Sequence, residues 1–176
     1  MNRRIPEEVR NGHGVMVSIL ENRSMRLNAA LTFWKKNDFL QLIAYLLRTD
    51  DDSVFVDLFP FITKCILEDE KVKQTKITLG ACLELLPVLD RLLHKKYEDY
   101  VVVSLDFIRT MIKRWYMELR DMKNKNHSHA LNSSLSLSPV YTKLLSMSEQ
   151  IDHLSLKKGN IGSKAKVVQE LLSQLK

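Results

Sequence analysis

The sequence predicts an all-α fold of about eight helices, and three observations support this class. Apolar residues recur every three or four positions along most of the chain, which is the spacing of one helix face. Only 5 glycines and 4 prolines interrupt the 176 residues. With 45% hydrophobic residues, the chain can bury a core without disulfides or metal. We expect a flexible segment over 1–12 and a single helical domain over 13–176.

The first half of the chain contains four amphipathic segments with recognisable starts. A short helix is expected over about 9–22, and Ser24 can cap a second one. Asp38 can cap a third helix. The acidic run 50–53 supplies the negative charge that favours a helix N-terminus, so a fourth helix is expected after it.

Two prolines fall inside the fourth and fifth helical patterns, in the similar contexts Leu-Phe-Pro-Phe-Ile and Leu-Leu-Pro-Val-Leu. Proline cannot donate to the carbonyl four residues back, so Pro60 and Pro87 should each kink a helix or start a new turn. Kinked helices in antiparallel pairs predict a solenoid-like superhelical bundle of the HEAT or armadillo type. The charged stretch 71–76 is expected to separate the two helices.

The second half of the chain predicts one long helix and two shorter ones. The longest helix is expected over roughly 95–123. Residues 124–138 are polar and lack helical periodicity, which predicts a mobile surface loop. Ser138 and Pro139 suit the cap and first position of the next helix, and a glycine-containing joint over 159–162 precedes the last helix over 163–175.

Patterns that carry catalysis or cofactor binding are not found in the sequence. Gly12-His13-Gly14 lacks the preceding strand and the lysine of a phosphate-binding loop, so a turn is expected there. His127 and His129 have no cysteine or carboxylate close by to complete a metal site. Cys65 and Cys82 are interpreted as small buried residues. We therefore expect no enzyme activity, cofactor, metal or small-molecule substrate.

The chain also lacks patterns that would direct it into a membrane. Its N-terminus is charged without an apolar segment behind it, unlike a secretory signal, and no run of about 18 apolar residues occurs. The net charge is +6, which favours an acidic partner such as a tubulin surface, nucleic acid or anionic lipid. A solvated basic surface without such a partner explains the charge equally well.

The segment 97–122 carries two apolar stripes on one predicted helix. The first steps by four and three residues from Val101 to Met122 and is typical of a packing seam. The second lies about 200° round the helix and consists of Tyr100, Val103, Phe107 and Met111. A helix that is apolar on two sides is either wholly internal or shared between its own core and a partner.

Basic residues lie among and beside this second stripe, and charged side chains are rarely buried unpaired. This side is therefore expected to face solvent or an acidic partner, with Tyr100 as the leading anchor because tyrosine often anchors interfaces. The predicted partner-binding residues are Tyr97, Tyr100, Val103, Phe107, Arg109, Met111, Lys113 and Arg114.

The stretch 92–101, Leu-Leu-His-Lys-Lys-Tyr-Glu-Asp-Tyr-Val, resembles the conserved C-terminal domain of the katanin regulatory subunit. In that family a leucine-rich helix leads into a Lys-Tyr-Glu turn and then a long helix. The resemblance extends over about 15–175 and includes 26–34 and the Leu85-Leu86-Pro87 context. It implies that Tyr100, the second tyrosine of the motif, contacts a partner.

The resemblance implies a non-enzymatic adaptor. Domains of this family bind the N-terminal helical domain of katanin's catalytic subunit, an AAA ATPase that severs microtubules, and the heterodimer contacts microtubules and spindle-pole proteins. The expected locations are the cytoplasm, the cytoskeleton and the spindle pole, with the nucleus as a further possibility. The alternative is direct binding of microtubules, or less favourably nucleic acid, through the basic surface.

The family's WD40 propeller does not precede this domain in the sequence. The chain is therefore expected to be a propeller-less regulatory-subunit-like protein or an excised domain. The sequence leaves open whether the domain activates or inhibits severing, which catalytic paralogue it prefers, and its oligomeric state.

Overall fold

The computed structural model of the chain describes residues 7–72, 77–125 and 137–175. Within these ranges the backbone forms nine α-helices and no β-strand, which confirms the predicted all-α class. The superhelical arrangement stays a prediction. The helices are α1 (Glu7–Lys35), α2 (Phe39–Thr49), α3 (Asp52–Val72), α4 (Leu79–Leu93), α5 (Glu98–Arg114), α6 (Tyr116–Lys125), α7 (Leu137–Ser146), α8 (Ser148–Ser155) and α9 (Asn160–Leu175).

Several predicted boundaries differ from the observed ones. Residues 7–12 of the predicted flexible segment belong to α1, whereas 1–6 lie outside the described residues. In the predicted loop, 126–136 lie outside the described residues, and the positions on either side belong to α6 and α7. The charged break also falls partly outside, at 73–76. The predicted single domain stays a prediction, and the chain divides into two compact units, Met1–Val54 and Phe55–Lys176.

The first unit contains α1 and α2, which pack against each other. The two helices predicted over 9–22 and after Ser24 are one helix of 29 residues, because no residue between them stops helical hydrogen bonding. The turn predicted at Gly12 and Gly14 is wrong for the same reason, since both lie inside α1. The predicted cap at Asp38 is confirmed, because its Oδ1 accepts from the Gln41 amide at 3.1 Å.

An ion pair joins the end of this unit to the middle of α1. Arg26 donates to Asp51, and the Tyr45 hydroxyl donates to the Arg26 carbonyl at 3.3 Å. Burial raises the pKa of Asp51, but hydrogen bonds from Ser53 and Arg26 outweigh it and hold the pKa below 3.8. The carboxylate therefore stays ionised and fixes the start of α3, where it also accepts from the Ser53 amide at 3.0 Å.

The second unit is built around α5. Helix α5 packs against α4 and α9, α9 packs against α8, and α7 packs against α4. Three polar contacts fix this arrangement, formed by Lys143 with Asp90 at 2.7 Å, the Tyr141 hydroxyl with the Leu175 carbonyl at 3.0 Å, and the Gln150 amide with the Leu93 carbonyl at 3.2 Å.

The long helix predicted over 95–123 is interrupted. Trp115 separates α5 from α6 with φ −113° and ψ 26°, which are not helical angles. Its side chain is nevertheless buried, and its amide still donates to the Met111 carbonyl at 3.1 Å. Only Trp115 lies between the two helices, so the apolar spacing continues from α5 into α6 without a shift. The sequence pattern therefore could not reveal the break.

Both prolines lie inside continuous helices. Pro60 is in α3 and Pro87 is in α4, and each helix continues through its proline, so the expected kink or new turn stays a prediction. Both are exposed, so water can reach the outer side of the helix, where the carbonyl four residues earlier lacks its usual donor. The neighbouring apolar residues are buried, including Phe59 in α3 and Leu86 in α4.

Candidate protein-binding surfaces

The residues predicted as partner-binding positions on α5 range from exposed to fully buried. Tyr97 is 56% exposed, and Lys113 is also exposed. Intermediate exposure is found for Tyr100, Val103, Arg109 and Arg114. Phe107 and Met111 are fully buried.

The expectation of a surface at Phe107 and Met111 is therefore wrong. The Phe107 ring lies 5.1 Å from the Phe59 ring of α3, measured between centroids. Because α4 and α9 pack on α5 as well, the middle of α5 is an internal helix. A helix that is apolar on two sides can be wholly internal or shared with a partner, and at Phe107 and Met111 the helix is internal.

A pair of tyrosines, Tyr97 exposed and Tyr100 half-buried, marks the start of α5. Tyr97 immediately precedes the helix and Tyr100 lies in its first turn, so the rings approach to 5.5 Å at an interplanar angle of 49°. The Lys96 ammonium lies 5.2 Å from the Tyr97 ring centroid, within the range of a cation–π contact. Large rings held at a surface in this way can anchor a protein partner at little cost in conformational entropy.

A shallow cavity of about 210 Å³ lies between α3 and α5, and its lining begins on α5 at Val103, one turn along the helix from Tyr100. Two of its lining residues, Val103 and Arg109, belong to the predicted site. The full lining is Pro60, Thr63, Leu67, Val103, Asp106, Arg109 and Thr110. The α3 side of the cavity was not predicted, although Leu67, an exposed apolar residue outside the buried stripe of α3, could have indicated it.

Charges at one edge of this cavity form a small cluster around Asp106. Lys164 of α9 donates to both oxygens of Asp106, at 2.7 and 2.8 Å. Arg109 lies 3.6 Å from the same carboxylate. One carboxylate therefore faces two cations, which leaves the edge positively charged and suited to an acidic group on a partner.

The far end of α5 is basic. Lys113 is exposed, and the Arg114 guanidinium lies 5.6 Å from the Trp115 ring centroid. The positions predicted for the site thus form an exposed aromatic start, a cavity in the middle and a basic end, rather than one apolar stripe.

A second surface, on α1, was not predicted as a site. Its members are apolar, lie on one side of the helix at spacings of three, four and seven residues, and are between 56% and 62% exposed. We call this set the α1 stripe: Val9, Val15, Met16, Ile19 and Leu20. The apolar spacing over 9–22 predicted an amphipathic helix. The spacing does not tell whether the apolar side of that helix is buried by other parts of the chain or left exposed.

The described residues offer few groups with perturbed chemistry. Burial raises the pKa of the Cys82 thiol to about 12, which keeps it protonated. Among the described residues no three His, Cys, Asp or Glu side chains are grouped to hold a metal ion, and His127 and His129 lie outside them. No helix in the described part of the chain is long and apolar enough to cross a membrane.

The chain is similar to proteins of one family. Residues 11–172 match the con80 domain of katanin. KATNB1-like protein 1 of Mus musculus is 37% identical over 168 residues, covering 96% of this chain and 53% of that protein. The katanin p80 WD40 repeat-containing subunit B1 of Danio rerio is 23% identical over 173 residues, covering 96% of this chain and 24% of that subunit. The chain thus spans about half the length of the first relative and a quarter of the second.

Proposed function

Because this chain belongs to the katanin con80 domain family, we propose that it is a non-enzymatic adaptor for the microtubule-severing ATPase. It binds the N-terminal helical domain of the catalytic subunit as a heterodimer and regulates severing and its location at spindle poles. The observation that carries this proposal is the family match across nearly the whole chain. A non-catalytic regulatory role is what the family supports, and the partner and location are the proposed parts.

The proposed contact surface is the outer side of α5. Tyr97 and Tyr100 provide exposed aromatic area at its start, and the neighbouring cavity can receive an apolar side chain of the partner. Arg109 and Lys113 lie on the same helix, so acidic partner groups beside such a side chain would be attracted. Phe107 and Met111 lie on the buried side of α5, and their packing holds the helix in place beneath the proposed contact surface.

Replacing the central tyrosine tests this surface. Tyr100→Ala should weaken binding to the catalytic subunit's N-terminal domain by about 2 kcal/mol, roughly thirtyfold, if Tyr100 is an anchor. Isothermal titration calorimetry measures the change, and circular dichroism checks that the variant is folded. Tyr116→Ala is the matched control, because Tyr116 is also half-buried but lies on α6 outside the proposed surface.

The outcomes separate the surface from the function. Equal affinities of Tyr100→Ala and the unsubstituted chain would reject the α5 surface and leave the adaptor role standing. No measurable binding by the unsubstituted chain would reject the adaptor role itself. Arg109→Glu adds an electrostatic test, since its effect should shrink as ionic strength rises.

Direct microtubule binding is the second candidate, and one surface feature favours it. Leu156 is 83% exposed and is followed by the exposed residues Lys157 and Lys158 in the α8–α9 connection. An apolar side chain beside two lysines suits an acidic protein surface such as that of tubulin. Co-sedimentation with microtubules should then decrease steeply with salt and weaken in Lys157→Glu/Lys158→Glu. Absence of co-sedimentation at low salt would remove this candidate.

A further inference from the structure

Helix α1 is far longer than the helix that packs on it within its own unit. Its 29 residues span roughly 43 Å, whereas the 11 residues of α2 span roughly 16 Å. Every residue from Glu7 to Asn22 is exposed, and Ala30 is the buried residue of α1. The α1 stripe lies entirely in this exposed half.

The composition of the exposed half of α1 indicates a helix that is stabilised by packing against another helix. Gly12 and Gly14 each cost about 1 kcal/mol relative to alanine inside a helix. Val9, Val15 and Ile19 are β-branched, which lowers helix propensity further. Most helical stability in proteins comes from packing of the apolar face and not from helix propensity. Residues with poor helix propensity but regular apolar spacing therefore point to a docked helix.

The charges at the two ends of the stripe are of opposite sign. On the side of α1 that carries the stripe, Glu8 lies at its N-terminal end and Arg23 lies just past its C-terminal end, whereas Glu7, Arg10 and Glu21 lie on the opposite side. A second α1 lying antiparallel would bring acidic and basic ends together, whereas a parallel one would bring like charges together. Antiparallel helix dipoles also attract each other. The stripe is thus complementary to itself in one orientation.

The middle of the stripe also suits close packing. Gly12 lies on the same side of the helix as Met16 and Ile19, at spacings of four and seven residues. A Cβ added at Gly12 would meet nothing within 4 Å, so the surface there is open. A large apolar side chain of a neighbouring helix can occupy this position.

We propose that α1 is a homodimer contact in which a second copy of this chain lies antiparallel along the α1 stripe. The two-fold axis passes beside Val15 and Met16, which places Glu8 of one copy alongside Arg23 of the other. The contact buries on the order of 1,000 Å² over both copies, close to the smallest specific interfaces. The dimer is therefore expected to dissociate in the micromolar range and to leave the α5 surface for a different partner.

Sedimentation velocity of the full chain over a concentration series tests the proposal. The unsubstituted chain should shift from monomer to dimer as its concentration increases, and Met16→Glu should raise the dissociation constant at least tenfold because it buries a charge at the axis. Met25→Glu is the matched control, since Met25 is 64% exposed but points to the opposite side of α1. Circular dichroism confirms that each variant is folded.

A charge exchange tests the orientation. Glu8→Arg should weaken the dimer by placing two cations together, and Glu8→Arg combined with Arg23→Glu should restore it, because the exchanged pair is again of opposite sign. Failure of the double exchange to restore the dimer, while Met16→Glu still abolishes it, would reject the antiparallel arrangement.

Two results would overturn the second copy as the occupant. One is an unsubstituted chain that remains monomeric up to about 100 µM, well above the dissociation constant expected for this area. The other is equal behaviour of Met16→Glu and Met25→Glu. Calorimetry with the catalytic subunit's N-terminal domain keeps the two proposals apart, because Met16→Glu should bind that domain as tightly as the unsubstituted chain. Loss of that binding in Met16→Glu would assign the α1 stripe to the catalytic subunit instead.

Discussion

Ser104 and Ser155 are two buried serines in the second unit with opposite hydrogen bonding. The Ser155 hydroxyl donates to the Asp152 carbonyl at 2.7 Å within its own helix. The Ser104 hydroxyl is buried in α5 and has no hydrogen-bond partner in the part of the chain that the structure describes. An unpaired buried hydroxyl costs the desolvation of that group, whereas a paired one recovers most of it.

Alanine at these two positions should therefore change stability in opposite directions. Ser104→Ala is expected to raise the free energy of unfolding by about 1 kcal/mol, because it removes an unsatisfied group. Ser155→Ala is expected to lower it by about 1 kcal/mol, because it removes a hydrogen bond. Urea unfolding followed by circular dichroism measures both. A loss of stability in Ser104→Ala equal to that in Ser155→Ala would mean that Ser104 has a partner in solution.

The candidate site shows what single residues reveal before the fold is known. Tyr97 and Lys113 are exposed as expected, since their types and positions outside the packing seam favour a surface. Val103 and Phe107 lie on one side of the same helix, yet only Phe107 is covered, by a ring from α3. Periodicity assigns a residue to a side of its helix, but it does not tell how far along that side a neighbouring element reaches.

At the scale of elements, helix identity was easier to predict than helix ends. The caps at Asp38 and Thr78 hold their helix starts by side-chain hydrogen bonds, and only the first was predicted. The break at Trp115 coincides with a buried indole and leaves no local signal in the sequence. Conversely, Ser24 has the chemistry of a cap but lies inside α1, because the helix can continue through an exposed serine.

The joint between α8 and α9 contains two glycines: Gly159 has a φ of +87°, and Gly162 has no room for a side chain. A Cβ at Gly162 would lie 1.8 Å from the Lys157 carbonyl oxygen, a backbone atom that cannot move without shifting the turn. At Gly80, in the first turn of α4, the nearest atom is the Thr78 hydroxyl oxygen at 3.8 Å, which is ordinary contact. Gly80 and Gly162 are both helical, so alanine would favour the helix at each by up to about 1 kcal/mol if space allowed.

Gly162→Ala is therefore expected to lower the free energy of unfolding by about 2 kcal/mol or more, because overlap outweighs the gain in helix propensity. Gly80→Ala is expected to leave it unchanged or raise it by up to about 1 kcal/mol. Thermal and urea unfolding of the two variants provide the comparison. Similar stabilities would show that the turn at 157–160 relaxes without cost.

At the scale of the whole molecule, the division into two units was not predicted. Composition indicated one domain, since 176 residues suit a single core. Helix α3 begins before the division at Val54 and ends after it. Amphipathic segments indicated that a core exists, but pairing between helices far apart in sequence depends on side-chain fit, which a single sequence does not reveal.

The same division predicts how protection from hydrogen exchange is distributed. Amides in the middle of α5, around Phe107 and Met111, should exchange most slowly, because the surrounding side chains are buried and opening requires loss of the core. Amides over 7–22 should exchange orders of magnitude faster in dilute protein, since the side chains of this stretch are all exposed and two glycines weaken the helix.

Exchange over 7–22 should slow as protein concentration rises if a second copy covers the α1 stripe, whereas exchange in α5 should not change. Mass spectrometry of peptides after timed labelling measures both regions together. Strong protection of 7–22 that is independent of concentration would contradict an uncovered α1 in the single chain.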